Sequence, residues 1–330
     1  MKTFAIIGSG FVGNLHMAAL QKSDRHKLIA LVEKDEEKAK AASLQFGVPW
    51  FTDAGEMLAK VNPDILDICL PSAFHEEFVL FAAKNKKNVI CEKPFSLSVE
   101  SCNRMEKACI DAGVHFMVGQ VLRWFPEYMK IGQMLPKLGK LHGVTCYRLS
   151  QHPAWAAWYS DTKISGGGLY ELHLHEIDYL YSLFGEAEHV YAAGWKSPSG
   201  CWDNVQSIIT FKNGIKVSAE GFFDMIGNYP FSSGFRAVGE NGTLEYKLTA
   251  GVNIENLTAA GNKITFYEKD KDPVDVTYEE ADGFQLMLDA YADSIEEQRP
   301  VPIPPENSVH VIKIMDALYQ SLETGKGISI

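Results

Sequence analysis

Gly8-Ser9-Gly10-Phe11-Val12-Gly13 closes the apolar run Thr3-Phe4-Ala5-Ile6-Ile7 and opens an amphipathic stretch that runs to Lys22. Glycines at this spacing, between a strand and a helix, suit a dinucleotide. The first permits the tight turn, the second lets the backbone approach a pyrophosphate, and the third lets helix and strand pack closely. The helix N-terminus then faces the phosphates. In a chain with 27 Gly such a pattern also arises by chance, so the flanking strand and helix carry the inference. Glu33 ends the next apolar run, where a carboxylate accepts hydrogen bonds from the adenosine ribose hydroxyls and repels a 2'-phosphate. That favours NAD. Lys34 could pair with a phosphate and Asp35 offsets it, which keeps NADP as the alternative.

Outward from that stretch, short apolar runs alternate with helical periodicity, the grammar of an α/β parallel sheet. Strands are expected at Thr3 to Gly8, Lys27 to Glu33, Ile65 to Leu70, Asn88 to Cys91 and His115 to Val118, each apolar enough to be covered on both faces. Helices are expected at Asn14 to Lys22, Glu36 to Phe46, His75 to Asn85 and Val99 to Ala112, with Gly113 as a stop. After Gln120 the pattern changes. Helices at Pro126 to Leu138 and Leu169 to Phe184 bracket a strand near Leu141 to Ser150. Seven strand-like runs from His189 to Tyr278 then follow, with Asn-Gly turns at 213 and 241, and read as an antiparallel meander. Two helices, Gly283 to Glu297 and Asn307 to Glu323, close the chain. The expected division is a doubly wound Rossmann domain over 1–120 and a substrate-binding and oligomerisation α/β domain over 121–330.

The 330 residues carry a net charge of -11, with no basic patch, which argues against nucleic acid and anionic membrane as partners. No apolar run approaches the roughly 20 residues of a membrane span, and no cleavage signal precedes the first strand. The six cysteines form no C-x-x-C pair or zinc-like cluster. A cytoplasmic location is expected.

The chemistry is expected at the carboxyl ends of the parallel strands, where open α/β sheets hold ligands. Leu70 and Pro71 end the third strand, and His75 opens the next helix on the same edge, where its ring can touch the nicotinamide or ribose or serve only as a cap. Glu92-Lys93-Pro94 ends the fourth strand. The Lys93 ammonium can hydrogen-bond a substrate hydroxyl or carbonyl and take part in proton transfer. Within Leu169 to Phe184 the polar residues Glu171, His175, Asp178 and Ser182 fall at i, i+4, i+7 and i+11, one narrow face expected to line a cleft. Glu171 can orient His175 and favour its protonated form. His173 and His175, two apart on a helix, point to different faces, so no metal site is expected. Arg123, Trp155 and Trp158 would suit a sugar or polyol, which stacks on aromatic faces.

The glycine-rich turn, Pro71 to His75, Glu92-Lys93-Pro94, Gln120 to Phe125, and a glycine run followed by His175-Glu176-Ile177-Asp178 together resemble the Gfo/Idh/MocA oxidoreductases across nearly the whole chain. The resemblance implies a Rossmann domain followed by an α/β domain on a large, mainly antiparallel open sheet that mediates homodimers or homotetramers. It implies that Lys93 is the catalytic lysine and His175 the catalytic histidine. The family usually has Asp where Glu171 stands, and the run Gly166 to Gly168 lies one residue closer to the histidine than in many members.

On this reading the chain transfers a hydride between NAD and a secondary alcohol or ketone of a sugar, sugar derivative or inositol-like polyol. Lys93, His175 and Glu171 would be catalytic, and Arg123, Trp155 and Trp158 would line the substrate. Two alternatives differ in class. One is an NAD-dependent glycosidase that oxidises its substrate transiently, and the other a noncatalytic dinucleotide-sensing regulator, against which both Lys93 and His175 argue.

Overall fold

The computed structural model describes residues 1–330 except 154–155 and 252–260. The chain forms two units, Met1–Phe125 with Ala281–Val309, and Pro126–Glu280 with His310–Ile330. In chain order the first unit begins β1 (Thr3–Ile7), α1 (Phe11–Lys22), β2 (Lys27–Val32), α2 (Glu36–Phe46), β3 (Trp50–Phe51) and α3 (Ala54–Lys60). It continues β4 (Ile65–Ile68), α4 (His75–Lys84), β5 (Asn88–Glu92), α5 (Val99–Ala112) and β6 (Phe116–Gly119). The second unit supplies α6 (Pro126–Met134), β7 (Leu141–Leu149), α7 (Leu174–Phe184), β8 (Ala187–Lys196), β9 (Trp202–Phe211) and β10 (Lys216–Phe222). After these come β11 (Ser232–Gly239), β12 (Gly242–Thr249), β13 (Gly261–Glu268), β14 (Val274–Asp275), α8 (Gly283–Glu296), α9 (Pro305–Thr324) and β15 (Ile328–Ser329).

The first sheet has the order β3-β2-β1-β4-β5-β6, all parallel, with the reversal of direction between β1 and β4 that marks a doubly wound nucleotide fold. Local chemistry sets the helix ends. The Asp35 carboxylate accepts from the amides of Glu37 and Lys38 at the start of α2, and the left-handed Gly47 ends it. Ser98 and Gly113 do the same for α5. The α8 side chains Met287, Leu288 and Tyr291 are buried in one core with Phe4, Ile6 and Ile90. The Tyr291 hydroxyl donates to the carbonyls of Val89 and His115, at 2.6 and 2.9 Å.

The second sheet has nine strands in the order β14-β13-β12-β11-β7-β10-β9-β8-β15. It is mainly antiparallel, but the expected simple meander is corrected: β7 lies between β11 and β10 and runs parallel to β10. The two Asn-Gly turns close the β9–β10 and β11–β12 hairpins. The helix expected through Leu138 is α-helical only to Met134 and tightens to a 3-10 turn over Leu135–Leu138, where Pro136 supplies no amide hydrogen. Among the described residues no helix is long and apolar enough to cross a membrane.

Candidate functional site

The glycine turn fits a dinucleotide on its own geometry. Gly8 has φ +102°, and a Cβ there would overlap the Cys69 carbonyl oxygen. A Cβ at Gly13 would overlap the Gly8 carbonyl oxygen, which is the close helix–strand approach. At Gly10, which is exposed, a Cβ would meet nothing within 4 Å, so this backbone faces open space, as a pyrophosphate requires. α1 has no side-chain cap and no acidic residue in its first turn, where Phe11 and Val12 lie, an electrostatic setting that suits an anion at its N-terminus.

Glu33 braces this turn. Its Oε2 accepts from the Ser9 amide and hydroxyl at 3.0 and 2.9 Å, and its Oε1 from the Asp35 amide at 3.1 Å. Asn14 Nδ2 donates to the carbonyls of Ser9 and Gly10 at 2.7 and 2.8 Å. Lys34 is exposed.

Along the same edge, half-buried Leu70 and Pro71 follow β4. His75 is fully enclosed, with Nδ1 2.9 Å from the Pro94 carbonyl oxygen and Nε2 2.8 Å from that of Leu70. Its ring therefore fastens the segment after β4 to the one after β5. Lys93 is half-buried directly after β5, and Lys93–Pro94 is a cis peptide. Glu92, 5% exposed, accepts from the Lys93 amide through Oε2 at 3.2 Å.

Beneath this edge lie residues that the sequence reading did not select. His16 on α1 and Asp67 on β4 are both 0% exposed, with His16 Nδ1 2.8 Å from Asp67 Oδ2. The Cys69 thiol donates to Asp67 Oδ1 at 3.4 Å. Burial alone would depress the His16 imidazole, but the Asp67 carboxylate, and after it Cys69, outweigh this and hold it well above its ordinary value. Burial pushes the Cys69 thiol up. The His16, Asp67 and Cys69 donor atoms all lie within 4.8 Å of one another, and this structure shows them bonded to each other. A signal was present in the sequence: Asp67 interrupts Ile65-Leu66-Asp67-Ile68, and a carboxylate inside a strand covered on both faces needs a partner.

In the second unit, Leu169–His173 is a π turn, with the Leu174 amide donating to the Leu169 carbonyl. Such turns recur at functional sites. Glu171 is buried in this turn, and half-buried His175 opens α7. The polar face expected to line one cleft does not share one environment. Asp178 is fully buried, whereas Ser182 is exposed and donates to the Tyr179 carbonyl at 2.6 Å. The wide turn and the packing of the helix on its sheet, not periodicity alone, decide which positions see water. His173 faces the sheet instead, with Nε2 2.9 Å from the Ser207 hydroxyl of β9.

The glycine run before this turn is held by Asp203, a fully buried carboxylate that accepts from the Gly168 amide through Oδ1 at 2.6 Å. Nothing in the sequence singled it out. Trp158 stacks on Tyr159 with centroids 4.0 Å apart, and half-buried Arg123 lies in the 3-10 turn Val121–Trp124 of the first unit. Trp155 lies outside the described residues.

The parallel sheet order and the open glycine turn define a dinucleotide-binding protein of the Rossmann class, carrying a second α/β unit on a large mixed sheet. The chain belongs to the Gfo/Idh/MocA oxidoreductase family: residues 2–120 match its NAD-binding Rossmann fold and 134–330 its C-terminal alpha/beta domain. By family it is an NAD(P)-dependent oxidoreductase. It is 25% identical over 331 residues to D-xylose 1-dehydrogenase (NADP(+)) 2 of Haloferax volcanii, covering 99% of each chain. It is 31% identical over 193 residues to the 2,7-anhydro-N-acetylneuraminate hydratase of Escherichia coli, covering 56% of this chain and 50% of that one. Its fold matches the aldose-aldose oxidoreductase of Caulobacter crescentus with a TM-score of 0.88 at 20% identity, over 100% of this chain and 99% of the other.

Proposed function

We propose that the protein catalyses reversible oxidation of a secondary alcohol on a sugar, sugar derivative or cyclic polyol, with NAD as the preferred cofactor. The observation that carries this reading is the edge of the first unit: half-buried Lys93 follows β5 at the same end of the parallel sheet as the open glycine turn. The full-length similarity to a xylose dehydrogenase supports the substrate class. When bound, the nicotinamide supplies the hydride acceptor or donor. Gly8 to Gly13, Glu33, Leu70 and Pro71 form the cofactor edge, and enclosed His75, expected from the sequence to be able to touch the nicotinamide or ribose, instead braces it through the Leu70 and Pro94 carbonyls. The Lys93 ammonium hydrogen-bonds the reacting oxygen, His175 exchanges its proton, and Glu171 orients His175. Arg123, Trp155 and Trp158 are the proposed substrate contacts.

We assign the first domain to cofactor binding and the second to substrate and self-association. Tyr191, Trp195 and Ile208, exposed on neighbouring strands of the second sheet, support a homodimer or homotetramer through that face, which light scattering after size exclusion tests. The six free cysteines support a cytoplasmic setting. A panel of aldoses, sugar acids and inositols, screened with NAD and NADP at matched concentrations, tests the activity. Reduced cofactor is expected with NAD and at least one polyol or sugar, and Lys93→Ala or His175→Ala should lower turnover by about 10² to 10⁴-fold. Full turnover by the double variant would overturn the assignment. Conversion of substrate without reduced cofactor would point to the redox-neutral class that includes the hydratase relative.

A further inference from the structure

The buried cluster beneath the cofactor edge ends in a contact that is not used elsewhere. His16 Nε2 lies 3.1 Å from Glu92 Oε1, outside hydrogen-bond alignment, and neither atom has another hydrogen-bond partner. The Glu92 carboxylate reaches this place because position 119 is glycine: a Cβ there would stand 2.6 Å from Oε1. Its second oxygen accepts from the Lys93 amide. On its other side the His16 ring is fixed by Asp67 at 2.8 Å and by the Phe284 ring of α8, 5.3 Å away centre to centre. One imidazole thus joins the helix that follows the glycine turn, the end of β4 and the end of β5.

We propose that His16 is a positioning residue: by bridging Asp67 and Glu92 it fixes the backbone of the Lys93 turn, and through it the placement of the lysine ammonium relative to the glycine turn. The two carboxylates and the ring are enclosed, so their attraction is little screened, and loss of one partner leaves the other without compensation. The consequence for turnover rests on the reading of Lys93 given above, but the bridge can be tested without any substrate.

The two ring nitrogens can be separated by substitution. Asn carries its amide nitrogen near the Nδ1 position and keeps the Asp67 bond, whereas Gln reaches the Nε2 position and keeps the Glu92 contact. Amide hydrogen exchange of the intact protein, followed by mass spectrometry, should show the 92–96 segment exchanging at least about tenfold faster in His16→Asn than in wild type, with His16→Gln within about threefold. Glu92→Ala should behave like His16→Asn, and Glu92→Gln, which keeps the side chain's length and an oxygen facing Nε2 but not its charge, should fall between Glu92→Ala and wild type. The Glu92 pair reads the same contact from its other side and decides the matter if His16→Asn does not fold. Unchanged exchange at 92–96 in Glu92→Ala, or equal acceleration across β1, β4 and α5, would overturn the proposal. Neither result depends on whether a sugar is oxidised.

Discussion

His16 in the first unit and His173 in the second are both 0% exposed, yet their imidazoles are shifted in opposite directions. His16 lies against Asp67 and Glu92, and its imidazole is raised well above the ordinary value despite burial. His173 meets only the neutral Ser207 hydroxyl at Nε2, has no hydrogen-bond partner at Nδ1, and is pushed down by burial to about 4. Burial acts in one direction on both rings, so neighbouring carboxylates decide the outcome. Each unit thus sets a buried histidine differently: one between carboxylates at strand ends, the other against a single hydroxyl between a helix and a sheet.

The most severe way to break this contrast is to remove the carboxylate that sustains it. Asp67→Ala should cost about 3 to 5 kcal/mol in urea unfolding, because the buried His16 ring loses its hydrogen-bonded carboxylate partner. Next comes the acid arm of the second unit. A histidine whose folded value is depressed stabilises least at low pH, so stability should fall by up to about 3 kcal/mol as pH drops from 6.5 towards 4. His173→Gln should lack that slope, so that subtracting its curve from that of wild type isolates it. His16 has the opposite sign: its contribution is complete below its unfolded value near 6.5 and is lost as pH rises through its higher folded one, so wild type and His16→Asn should converge in alkali.

Smaller effects sharpen the comparison at His173. A Cβ at Gly221 would lie 2.7 Å from His173 Cβ and Nδ1, so Gly221→Ala should destabilise by about 1 to 3 kcal/mol. Ser207→Ala removes one neutral hydrogen bond and should cost about 1 kcal/mol, with no change in the pH slope. A cost near that of Asp67→Ala would show that the two rings are not held by different means.

Legibility followed sequence distance. The glycine turn and the spans of α2 and α5 could be read because periodicity and caps are local. β3, two residues long, and α3, seven, are too short to display a period. The parallel pairing of β7 with β10 joins segments some seventy residues apart, and no local pattern encodes it. The bridge from His16 to Asp67 and Glu92 escaped for the same reason, although Asp67 in an apolar strand was a visible anomaly. The π turn over Leu169–His173 could not be distinguished from an ordinary helix, because the residues that favour either are the same. Burial along Glu171, Asp178 and Ser182 depends on what packs over each position and was not legible, while the places of Lys93 after β5 and His175 in the first turn of α7 came directly from chain order.

The most direct measurement follows the hydrogen itself. A sugar or polyol identified by the substrate panel, prepared with deuterium on the carbon bearing the reacting hydroxyl, is incubated with the protein and NAD, and the reduced dinucleotide is analysed by mass spectrometry. Direct transfer places the deuterium on the nicotinamide, and Lys93→Ala or His175→Ala removes most of that signal. Substrate consumed with no labelled dinucleotide formed, or undiminished labelling by the doubly substituted protein, contradicts the account.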